Sequence, residues 1–130
     1  MFRGIDHTAE LELEITAPTK EAVFIEALAA FAELVGRDSG GEPAEHRVTV
    51  AASDAPALLA DWLGELVFLA ETDDFVPERV TALELGEKDL RATVAGWSDE
   101  PSHLVKSVTY HGLELRENGE GWLARLVLDV

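Results

Sequence analysis

Acidic side chains near the two extremities of the chain are the residues best suited to chemistry. Glu10 closes the stretch His7-Thr8-Ala9-Glu10, and the apolar run Leu126-Val127-Leu128 leads straight into Asp129 and the carboxylate of Val130. If the first and last strands are neighbours, Glu10, Asp129 and the Val130 carboxylate meet in one small patch. Crowded anions repel one another unless protons or a cation neutralise them. An all-oxygen donor set suits hard cations such as Ca²⁺ or Mg²⁺ over zinc or copper. Ca²⁺ takes about six to eight oxygens, so carbonyls and water would have to complete its shell. The residues alone leave a second reading open, in which Asp129 is simply hydrated and Glu10 lies apart.

Other chemistry is less well supplied. His7 and His111 each adjoin a hydroxyl residue and a small one, Thr8 with Ala9 and Tyr110 with Gly112. Both a structural hydrogen bond and a functional role are open to them, whereas His46 and His103 read as structural. A metal-assisted hydrolase built on His7, Glu10 and His111 is the enzymatic alternative; it needs a pocket with a proton-transfer residue in reach. No serine stands in a G-x-S-x-G elbow, and Gly40-Gly41 and Gly119-Glu120-Gly121 read as turns, not phosphate cradles. The chain has no cysteine, which excludes disulfides, thiolate metal sites and thiol nucleophiles. Asp61 and Glu65 share one helical face and read as a solvated pair.

Charge narrows the partners. There are 26 acidic residues against 10 basic ones, a net −16, and the basic residues form no block. Phosphate backbones attract Lys and Arg clusters, so strong direct binding of RNA or DNA is not expected. Much of the charge reads as solubilising; a basic protein surface or a cation is the sharper alternative. No apolar run is long enough to span a bilayer, and the first residues lack the pattern of a signal peptide. The expected location is the cytoplasm, with no membrane partner. At 130 residues the chain is expected to form one domain, 1–130.

The elements that must position these residues follow from patterning. Leu11-Glu12-Leu13-Glu14-Ile15 alternates as a half-exposed strand does, and Phe2 to His7 precedes it as a further strand. Thr19 reads as the cap of a helix with an apolar stripe from Val23 to Val35, ended by Gly36. Residues 37–45 read as a loop and Arg47 to Ala51 as a short strand. A second helix is expected from Ser53 or Asp54, with Pro56 in its first turn. Leu58, Leu59, Trp62, Leu63, Leu66 and Leu69 form its core stripe, widened by Val67 and Phe68. Strands at Val80–Leu85 and Leu90–Ala95 are joined by Gly86-Glu87-Lys88-Asp89, and strands at Lys106–Leu115 and Trp122–Asp129 by Asn118-Gly119-Glu120-Gly121. Two amphipathic helices and so many strands predict an α+β two-layer sandwich: one mostly antiparallel sheet with both helices packed on one face.

Four segments, His7-Thr8-Ala9-Glu10, Asp61-Trp62-Leu63-Gly64-Glu65-Leu66, Lys106-Ser107-Val108-Thr109-Tyr110-His111-Gly112-Leu113 and Val127-Leu128-Asp129-Val130, resemble the archease family in order and placement across the whole chain. The resemblance implies a non-enzymatic activator of an RtcB-type RNA ligase. That ligase uses Mn²⁺ and GTP, passes through a guanylylated histidine, and joins 3′-phosphate or 2′,3′-cyclic phosphate ends to 5′-hydroxyl ends in tRNA splicing and RNA repair. It further implies a divalent cation, Ca²⁺ with Mg²⁺ or Mn²⁺ as alternatives, held by Glu10, Asp129 and Val130. His7, Lys106, Tyr110 and His111 become site-adjacent or partner-contacting residues. Glu10 stands where the family usually has Asp, and Gly64 where Asn is common. A general chaperone or metal-buffering module is the third functional class.

Overall fold

The computed structural model describes residues 1–7, 10–37 and 40–130, apart from the side chains of residues 5–7. Among these residues the chain forms β1 (Phe2–His7), β2 (Glu10–Ala17), α1 (Lys20–Val35), β3 (Glu42–Ala51), α2 (Ala55–Thr72), β4 (Phe75–Leu85), β5 (Asp89–Ser98), β6 (Ser107–Glu117) and β7 (Trp122–Asp129). The α+β class expected from patterning is the one observed. The strands do not form a single sheet, however. They divide into an antiparallel sheet ordered β1-β2-β7-β6 and another ordered β3-β5-β4. Short turns keep β4 with β5 and β6 with β7: the Gly86 N–H donates to the Asp89 carbonyl at 2.8 Å, and the Asn118 N–H to the Gly121 carbonyl at 3.0 Å. Helix α1 then carries the chain from β2 to the other sheet, so β2 and β3 never pair. Both helices touch strands of both sheets, and the core is the layer they share.

Helix boundaries follow local chemistry. Thr19 Oγ1 accepts from the Ala22 N–H at 3.1 Å and Asp54 Oδ1 from the Ala57 N–H at 2.8 Å, each satisfying a donor that the first turn leaves free. Gly36 ends α1 at φ 56°, a left-handed conformation that favours glycine, and its N–H reaches the Ala32 carbonyl at 3.0 Å. Phe24, Phe31, Leu58, Leu63 and Leu66 are fully buried, together with Leu13, Ile15, Leu126 and Leu128 of the larger sheet. Trp62 is buried too, and its Nε1–H donates to the Phe24 carbonyl at 2.9 Å, tying the two helices together. Phe68 departs from the expected stripe: it is 55% exposed while Val67 is buried. At about 100° per residue it turns away from the core onto the face shared by Asp61 and Glu65. Among the described residues no helix is long and apolar enough to cross a membrane.

Candidate metal centre

Strand alternation sorts the larger sheet into two faces. On β2, Leu11, Leu13 and Ile15 are buried, while Glu12 and Glu14 are half-buried and Glu10 is exposed. Residues of one strand point alternately to opposite faces, so Glu10 lies on the side away from the core. β7 alternates in phase, with Leu126 and Leu128 buried and Asp129 partly open. The pairing register puts Glu10 directly opposite Asp129, Asp129 opposite Ser107 of β6, and the backbone of His7 opposite Glu10. A single row of residues therefore runs across four strands.

Directly opposed side chains in an antiparallel pair have Cβ atoms about 4.5–5.5 Å apart, and like charges so placed are destabilising. Glu10 and Asp129 are such a pair. One partner of Asp129 is already fixed: the Ser107 hydroxyl donates to Oδ2 at 2.9 Å, and the Lys106 backbone N–H donates to the Asp129 carbonyl at 2.8 Å. Among the described residues, the second carboxylate oxygen of Asp129 and both oxygens of Glu10 make no hydrogen bond that would compete with a cation. The Lys106 side chain is exposed next to the row. Val130 follows Asp129, is 44% exposed, and borders an open cavity of about 720 Å³ lined also by Leu11, Leu34, His103 and Leu104.

Among the described residues no three His, Asp or Glu side chains come together as metal ligands. A cation at the row would therefore need the Val130 carboxylate, carbonyl oxygens and water beyond Glu10 and Asp129. The donors are all oxygens, and a cation relieves the mutual repulsion of the Glu10 and Asp129 carboxylates, which fits a hard ion. The His7 side chain and the residues Thr8 and Ala9 lie outside the described residues. His46 packs edge-on against Phe75, ring centroids 4.4 Å apart, and the His103 backbone N–H donates to the Val35 carbonyl at 2.9 Å.

Tyr110 and His111 sit apart from the row. Pairing of β6 with β7 runs through Thr109 opposite Val127 and resumes at Glu114 opposite Arg125, so Tyr110 to Leu113 bulge out against Leu126. Gly112 sits at φ 70° within the bulge, and the His111 N–H donates to Thr109 Oγ1 at 3.1 Å. The Tyr110 hydroxyl reaches across to donate to the Asp61 carboxylate on α2. That bond, then partial burial and the Asp61 charge, raise the phenol pKa above its ordinary value. Sequence patterning missed two members of these sites. Ser107 lies in the Lys106–Leu113 segment, but only the register brings it to Asp129. Asp61 reads as solvated because its partner comes from a distant strand.

A model of the Archease protein family matches residues 2–130. The archease of Methanosarcina mazei is 33% identical, over 99% of this chain and 95% of its own length. That of Pyrobaculum islandicum is 31% identical with the same coverage of both chains, 99% and 95%. The solution structure of Methanobacterium thermoautotrophicum protein 1598 has a TM-score of 0.74 at 28% identity, covering 99% of this chain and 98% of that one. A crystal structure from Thermotoga maritima, described as an archease and "possible chaperone", has a TM-score of 0.71 at 21% identity, covering 100% and 98%. At that identity the likeness speaks for the fold alone.

Proposed function

Because the chain belongs to the Archease protein family, we propose that it is a non-enzymatic activator of an RtcB-type RNA ligase, with Glu10, Asp129 and the Val130 carboxylate holding a hard divalent cation. One observation carries the reading: Glu10 and Asp129 are direct cross-strand partners on the outer face of the sheet. Ca²⁺ is the favoured ion, with Mg²⁺ and Mn²⁺ as alternatives; bound there, it supplies positive charge that cancels the repulsion of the row. Ser107 holds one oxygen of Asp129 and leaves the other for the ion. Glu10, one methylene longer than the family's usual Asp, reaches further out from its strand. On this reading the row presents a charged, ordered surface to the ligase, with the Ser107 hydroxyl engaged on Asp129. A net charge of −16 suits an approach to the positive surface of a nucleic-acid enzyme without competition for its RNA.

The decisive variant is Asp129→Ala. Asp129 lies outside the buried core, so the fold should persist and the melting temperature should change little. Ca²⁺ affinity should fall at least roughly tenfold, and the ligase should lose its added guanylylation and multiple turnover in a reaction read with and without this protein. Full stimulation by Asp129→Ala would overturn the site.

A further inference from the structure

Two of the chain's nine aromatic residues, five Phe, three Trp and one Tyr, are exposed, and both belong to one surface. Phe68 is 55% exposed on α2 and Tyr110 is 58% exposed on the β6 bulge. Asp61, Gly64, Glu65 and Phe68 recur at helical spacing and form one outward stripe of α2. Asp61 and Phe68 are thus about two turns, or roughly 10 Å, apart on the same face. Tyr110 is fastened to the stripe by its hydrogen bond to Asp61, and His111 beside it is exposed. Nothing lies within 4 Å of where a Cβ would stand on Gly64, which leaves an open notch beside Glu65. Helix α2 carries no Lys or Arg along its whole length, so the two carboxylates of this face have no basic neighbour on their own helix.

We propose that this face, the outer stripe of α2 together with the Tyr110 bulge of β6, docks a basic, arginine- or lysine-bearing segment of a protein partner. Exposed Phe and Tyr rings present π-faces to cations, and Asp61 and Glu65 supply carboxylates for the same groups. A hydrogen-bonded Tyr110 is held in place before binding, which lowers the ordering cost. Charge complementarity selects the occupant. A second copy of a −16 chain, an anionic membrane or a nucleic acid would each be repelled, whereas a basic protein segment is attracted.

The proposal rests on the ligase being the partner, and one titration separates the two. Binding to a purified RtcB-type ligase is measured by calorimetry for the wild type, for the double variant Phe68→Ala/Tyr110→Ala, and for Asp61→Asn/Glu65→Gln. The Asn of the second variant can still accept the Tyr110 hydroxyl, so that variant removes charge alone. Circular dichroism confirms folding, and Ca²⁺ titration confirms that the acidic row is untouched. The expected result is a loss of affinity of at least tenfold for the aromatic variant, and a weaker dependence on NaCl for the charge variant. Wild-type affinity in both variants overturns the docking face and leaves the ligase reading intact. No binding by the wild type overturns the ligase reading, and the occupant proposed here with it.

Discussion

Asp129 is held at both ends of the residue, its carbonyl by the Lys106 N–H and its carboxylate by Ser107. A ligand oriented by an outer partner loses affinity when that partner is removed, commonly by tenfold or more. If Asp129 holds a cation as proposed, Ser107→Ala should therefore weaken Ca²⁺ binding roughly tenfold in a calorimetric titration while leaving urea stability nearly unchanged. Tyr110 offers a second residue-level measurement, because it is the chain's one tyrosine and its ionisation can be followed by absorbance without ambiguity. The neutral phenol is the form that donates to Asp61, so its pKa is raised. The sign follows: the bond contributes below the ordinary phenol pKa of about 10 and is lost as the pH rises past the raised value. Tyrosinate formation should have its midpoint above that of a free phenol, and Asp61→Ala should move it back down. An unshifted midpoint in the wild type would contradict the pairing.

Two glycines show how the elements discriminate between identical substitutions. Gly64 lies inside α2 with open space around it, and Gly112 lies in the β6 bulge with equal room but at φ 70°. Gly64→Ala should stabilise by up to about 1 kcal/mol through helix propensity, whereas Gly112→Ala should destabilise by about 1–2 kcal/mol because the left-handed conformation crowds a Cβ. Urea unfolding of the two variants tests both signs. Helices, caps and hairpin turns were legible in the sequence because each is decided within a few residues: Thr19, Asp54 and Gly36 act where they stand. Strand ends were less so. β4 begins at Phe75, ahead of the expected Val80, across Pro77 and a register shift; β3 begins at Glu42 and includes Pro43. Both are edge strands, where proline is tolerated, yet proline reads locally as a break. The acids of the row were legible as candidates, but not their adjacency. A slip of one residue would set Glu10 opposite Leu128, and register is a property of the whole sheet. The division into two sheets and the Asp61–Tyr110 bond likewise depend on distant partners.

At the scale of the molecule, 26 acids against 10 bases make the folded chain repel itself, so ordinary salt should raise its melting temperature by screening. A bound ion adds a separate increment by mass action, about 2.7 kcal/mol at a hundred times the dissociation constant. CaCl₂ should therefore stabilise beyond NaCl of equal ionic strength in the wild type, and Asp129→Ala should erase that excess while keeping the screening effect. Pairing of β2 with β7 has a consequence for biosynthesis. The second strand to leave the ribosome must wait for a partner made at the far end of the message, and non-local pairing of this kind is slow to form. Throughout that delay one edge of β2 stands open, with Leu11, Leu13 and Ile15 available to any other nascent strand. Glu10, Glu12 and Glu14, interleaved with them, are the gatekeepers that keep such an edge from aggregating. Glu10, a ligand of the proposed metal site in the finished protein, thus helps to guard the unfinished polypeptide first.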